Sequence, residues 1–116
     1  MSEYWLMNGR AGPDSMAPDG TEVLPYQPYG SLTRMHPGER LLVRVVGAGR
    51  EMHPFHTHGN HVRLLARDGR MLLTDTDALA GPLLFTIPSL PGGTADAVFQ
   101  WTGKDLGWDI YEAGST

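Results

Sequence analysis

The sequence predicts an all-β Greek-key sandwich or barrel of about seven to eight short strands, on three observations. Fifteen glycines and nine prolines in 116 residues exceed an average share of about 14. They are spread evenly, as punctuation between many short segments. Several of those segments alternate apolar and polar residues, the period of a half-buried strand. No segment sustains the 3.6-residue apolar period of a helix. The length fits one domain, so residues 1–116 are read as a single unit, and no repeat of solenoid type interrupts it.

The elements follow in order. Residues 4–8 (YWLMN) are a short apolar strand closed by an Asn8-Gly9 turn. Residues 10–28 carry Pro13, Pro18, Pro25 and Pro28 and read as a long connection across one end of the fold. Residues 31–35 are a brief strand candidate. Pro37-Gly38 is a turn, and residues 39–46 (ERLLVRVV) form the strongest strand, with Leu41, Val43 and Val45 on one face. Residues 51–58 are extended, and Pro54 puts them at an edge, a strand start or a bulge. Residues 61–66 (HVRLLA) are a strand, and Asp68-Gly69 turns it into a hairpin with residues 70–73. Residues 74–82 are a polar loop with room for one helical turn. Residues 83–87 are extended, 88–93 a turn-rich link, and 94–101 a strand with Ala95, Ala97, Phe99 and Trp101 on one side. Residues 103–107 are a loop, and 108–111 supply a final edge strand.

Composition removes several classes of chemistry. There is no cysteine, which excludes disulfides, thiolate zinc, iron–sulfur clusters, thiol nucleophiles and Cys-ligated copper. Net charge is −4, eight of the nine bases are arginine, and none cluster, so no nucleic-acid partner is expected. Residues 1–10 lack a basic stretch followed by an apolar one, so no signal peptide is expected there. The apolar runs fall far short of the ~20 residues that span a bilayer, so no membrane partner is expected either.

One feature points to a site. Of five histidines, His53, His56, His58 and His61 fall within nine residues, where a uniform spread would place about 0.4. On an extended segment, residues two apart share a face, so His56 and His58 point the same way, roughly 7 Å apart at Cα. His53 has the opposite parity, and His61 shares it only if Gly59 leaves the chain straight. Neutral imidazole suits copper, zinc, iron and nickel. A metal site on His53, His56, His58 and His61 is expected, with copper and zinc both open at this point. The remaining His36 reads as a turn residue. Asp75 and Asp77 read as a solvated loop, the six methionines as dispersed packing residues, and no G-x-S-x-G supports a serine triad. Glu51 is a candidate to orient a ligand imidazole, although a surface ion pair with Arg50 or Arg63 explains it equally.

The string HPFHTHG (residues 53–59) resembles the H-P-x-H-x-H-G motif of the multicopper oxidases. Residues 4–14 (YWLMNGRAGPD), 37–46 (PGERLLVRVV) and 91–100 (PGGTADAVFQ) resemble three further strands of that family, in the same order. The resemblance implies a cupredoxin-like fold and copper. It implies that His53 corresponds to a type 1 copper ligand, and His56 and His58 to ligands of the trinuclear cluster. It also implies relatives that are often periplasmic or secreted. The chain departs from the family pattern in lacking the His-Cys-His motif, in having no histidine after His61, and in carrying Asn60 where the family often has histidine. The His-x-His pair also resembles a cupin motif, but Val62, Arg63 and Leu64 stand where a cupin needs its glutamate.

The leading expectation is therefore a copper-binding cupredoxin-like domain with an incomplete ligand set, not a competent oxidase alone. A second is an assembly module whose histidines complete a site across an interface, with another copy of the chain or a second cupredoxin domain. A third is a mononuclear metalloenzyme built on three histidines with an open position.

Overall fold

The computed structural model describes residues 5–102. Its seven strands are β1 (Arg40–Val46), β2 (His53–His56), β3 (Val62–Arg67), β4 (Arg70–Met71), β5 (Leu83–Leu84), β6 (Thr86–Ser89) and β7 (Thr94–Gln100). All pairings are antiparallel. The fold is a cupredoxin-like β-sandwich whose sheets, among the described residues, do not close into a barrel. Contacts divide the chain into two compact units, Met1–Arg34 and Met35–Thr116.

In the second unit, β1, β7 and β3 lie side by side, and β4 and β5 share the far edge of β3. Alternation is what assembles this sheet. Leu41, Val43 and Val45 turn inward from β1 while their neighbours stay exposed. Ala95 and Ala97 turn inward from β7, and Val62, Leu64 and Ala66 from β3. The Asp68-Gly69 hairpin forms as its sequence predicts. Both residues have positive φ, 49° and 77°, the geometry that matches the twist of paired strands. Gly81 is required by close approach instead. A Cβ there would lie 1.7 Å from the Leu64 carbonyl oxygen, so a side chain would push residues 80–82 off the edge of β3.

The strands β2 and β6 form a separate two-stranded sheet. Phe55 and Ile87 are direct partners in it and share a face. Ile87 is fully buried, and both pack with Val62, Leu64, Ala95 and Ala97. Each buried aliphatic side chain of this kind contributes roughly 1.5–3 kcal/mol. Pro54 and Pro88 face one another across the same sheet. That placement suits proline, because the missing donors fall in a narrow sheet that has edges on both sides.

Several predicted elements take a different form. Residues 83–87 are two strands in different sheets, broken at Phe85. Residues 74–82 contain no helical turn; a Leu73–Leu79 bridge closes them, with the Thr74 hydroxyl accepting from the Thr76 and Ala78 amides. Residues 31–35 form no strand, and the described residues 5–8 form no strand beyond a Met7–Arg10 bridge. The Trp108–Tyr111 strand and the preceding loop lie outside the described residues.

The first unit is organised by a charge. Met7 and Arg10 exchange backbone hydrogen bonds of 2.9 and 3.1 Å across Asn8-Gly9. Arg10 then lies 2% exposed. Its guanidinium donates to the carbonyls of Asp14, Ala17, Pro18 and Gln27 and to Gln27 Oε1. Prolines 13, 18, 25 and 28 deny this segment a regular ladder, and Arg10 serves four of its carbonyls while turn bonds between backbone groups serve others.

Candidate metal centre

The histidine segment crosses between the two sheets. It leaves the two-stranded sheet at His56 and enters the five-stranded sheet at Val62. The turn is made at Gly59, with φ of 86°. Thr57 Oγ1 donates to the Asn60 carbonyl, and Asn60 Nδ2 donates to the Gln100 carbonyl at 2.8 Å. The loop is thereby tied to β7 as well as to its own ends.

A second segment makes the same crossing beside it. Residues 83–89 leave β3 after Leu84 and join β2 at Thr86. Phe85 is the single residue between. Continuing the β3–β5 register by one step sets His61 opposite Phe85. Continuing the β2–β6 register by one step sets Thr57 opposite it, and the Thr57 amide donates to the Phe85 carbonyl at 2.9 Å. His56, His58 and His61 therefore lie about the point where both segments change sheets.

His56 and His58 are brought together as their spacing predicts. Their ring centroids are 4.8 Å apart, nearly edge to face at 72°. His56 Nδ1 lies 2.9 Å from Thr86 Oγ1, its direct cross-strand partner. That contact orients the ring through Nδ1 and leaves Nε2 as the other nitrogen able to take a ligand role. Both side chains are exposed.

His53 and His61 do not join them. His53 lies at the far end of β2 opposite Ser89, and shares strand parity with Phe55 rather than with His56. His61 stacks on Phe85, with centroids 3.8 Å apart and planes tilted by 33°. The Phe85 ring in turn lies 6.4 Å from that of His56. Among the described residues, no three His, Asp or Glu side chains converge as a metal-binding group. The outlying His36 pairs with Glu39 across the Pro37-Gly38 turn, at 3.0 Å. Glu51 is exposed. Phe85 and Thr86 are the two residues of the centre that the sequence did not indicate. Each acts through a cross-strand contact with a partner more than twenty positions away.

A cupredoxin-like sandwich with a His-x-His pair at the sheet crossing defines a class: a domain of multicopper oxidase type. The sequence profile of the multicopper oxidases matches residues 5–86, a span that includes all four clustered histidines with Phe85 and Thr86. The chain belongs to the multicopper oxidase family. No curated protein and no solved structure matches it.

Proposed function

We propose that this domain binds copper through His56 and His58 and supplies part of a metal centre rather than a whole one. The observation that carries the reading is the His56–His58 ring pair, with His56 oriented by Thr86. The donor chemistry fits: two imidazoles on an exposed face suit copper, and zinc is the competing metal. Bound copper would supply one-electron redox chemistry. The residues of this chain hold and orient it, Thr86 by fixing the His56 ring and Gly59 by turning the loop. With no cysteine in the chain, a His2Cys blue site is outside its reach, so the domain alone is not expected to be a competent oxidase.

Titration of the purified chain with Cu²⁺, followed by electron paramagnetic resonance, tests this. Nitrogen-ligated Cu²⁺ should appear without intense blue absorption, and should be lost in H56A/H58A. Equal binding by that double variant would refute the metal assignment. The exposure of both imidazoles and the lack of a convergent third ligand among the described residues support completion of the centre by a second copy or a second cupredoxin domain. Size-exclusion chromatography with and without copper checks this, since a monomer saturated with tightly held copper would contradict it.

A further inference from the structure

We propose that Phe85 sets the number of ligands at this centre: its ring holds the His61 imidazole away from the His56–His58 pair and keeps the site at two histidines. The inference rests on the metal reading above. Ring contacts run in a row from His58 to His56 (4.8 Å), from His56 to Phe85 (6.4 Å) and from Phe85 to His61 (3.8 Å). Phe85 thus links the third imidazole to the pair and also separates it from them. His61 is set by the backbone beside Phe85, one register step beyond the Val62–Leu84 pair. Its Cα stands next to Val62, opposite the sheet crossing, in a loop tied down by Thr57 and Asn60. What holds its ring is the contact with Phe85, with centroids 3.8 Å apart and planes tilted by 33°.

The stack sits where it does because Phe85 is the crossing residue. Its neighbours Leu84 and Thr86 are bonded into different sheets, so its ring is presented at the seam between them. Phe85 is 43% exposed, and its ring lies against His61. Two donors leave most of a metal's coordination positions open for ligands from elsewhere. Three would favour a self-contained mononuclear site. Phe85 is therefore a positioning residue that keeps the centre shareable.

The test uses the full chain and Cu²⁺ alone, titrated by calorimetry against wild type, F85A, F85A/H61A and H56A/H58A. Removing the stack should tighten Cu²⁺ binding by roughly two- to tenfold, the equivalent of one aromatic pair. F85A/H61A should return to the wild-type affinity. Unchanged or weaker binding in F85A, or tight binding that persists in F85A/H61A, overturns the proposal. A metal-free measurement separates its failure from that of the parent reading. The His61 ring protons should be shifted upfield by the Phe85 ring in the wild-type NMR spectrum, and should lose that shift in F85L. F85L keeps apolar volume and serves in the titration should F85A fail to fold. If wild type shows no upfield shift, the stack is refuted. If H56A/H58A binds Cu²⁺ as wild type does, the metal reading falls, and this proposal falls with it, even with the stack confirmed.

Discussion

Replacing Thr86 with valine removes one oxygen from the centre and changes little else. Valine has nearly the same volume and suits a strand. The oxygen it lacks is the one 2.9 Å from His56 Nδ1. Two consequences can be estimated. Thr86 is exposed, so the hydrogen bond contributes about 0.5–1 kcal/mol to folding at most. Part of that is recovered when water solvates the freed imidazole nitrogen, and the unfolding midpoint should barely move. The effect on metal should be larger. An outer partner fixes a ligand's tautomer and ring orientation, and its loss typically costs 10–100-fold in affinity. On an exposed face the lower end applies, so T86V should weaken Cu²⁺ binding by about tenfold, or about 1.4 kcal/mol. Competition titration against a chelator of known affinity, with urea unfolding in parallel, measures both. Equal affinity for wild type and T86V, with both folded, would refute the claim that Thr86 orients His56. A parallel loss of stability and affinity would show that Thr86 acts through the fold instead.

Three further outcomes are expected. Leu64→Ala removes the largest of the fully buried side chains, 1% exposed, and should cost about 3 kcal/mol by urea unfolding; a loss below about 1 kcal/mol would contradict its place in the core. Arg10→Ala strips the donors from four carbonyls and Gln27 Oε1 and should destabilise the first unit by about 2 kcal/mol. Hydrogen exchange at the Gly20 and Gln27 amides reads this, since both are bonded within that loop, and unchanged protection would count against it. Glu39 is held below the ordinary value of 4.5, first by the hydrogen bond from the His36 amide, then by the bond to the His36 ring, against an opposing effect of desolvation, with the His36 charge adding least. A depressed carboxyl contributes stability that is full above its unfolded value and is lost as pH falls through the folded value. NMR titration should place Glu39 below 4.5 in wild type and nearer to it in H36A; a wild-type value at or above 4.5 would overturn the assignment.

Legibility in the sequence tracked the range of the interactions involved. The strand β1, the β3–β4 hairpin and β7 were readable because alternation and turn residues are local signals. The His56–His58 pair was readable from its spacing of two, although β2 ends at His56 and His58 lies in the loop beyond it. Residues 4–8 misled because an apolar run says nothing about whether a partner strand exists; the described part, residues 5–8, carries a Met7–Arg10 bridge and no strand. Residues 83–87 misled for a related reason. Their extended character was correct, but each half found a different partner, and the break at Phe85 is written in residues 57 and 61–63 rather than in its own neighbours. Sequence parity likewise placed His53 away from the pair, and for His61 it named the deciding residue, Gly59, without its conformation.

By itself, the sequence determined the fold class, the absence of any thiolate chemistry, and a histidine pair facing one way, because each depends on composition or on a repeat of two. Only the tertiary structure decided that the pair lies where two segments change sheets, that Thr86 takes one nitrogen of His56, and that Phe85 claims the ring of His61. Those outcomes depend on which strands pair and in what register, and register is set by burying Phe55 and Ile87 against β3 and β7, a contact between residues far apart in the chain.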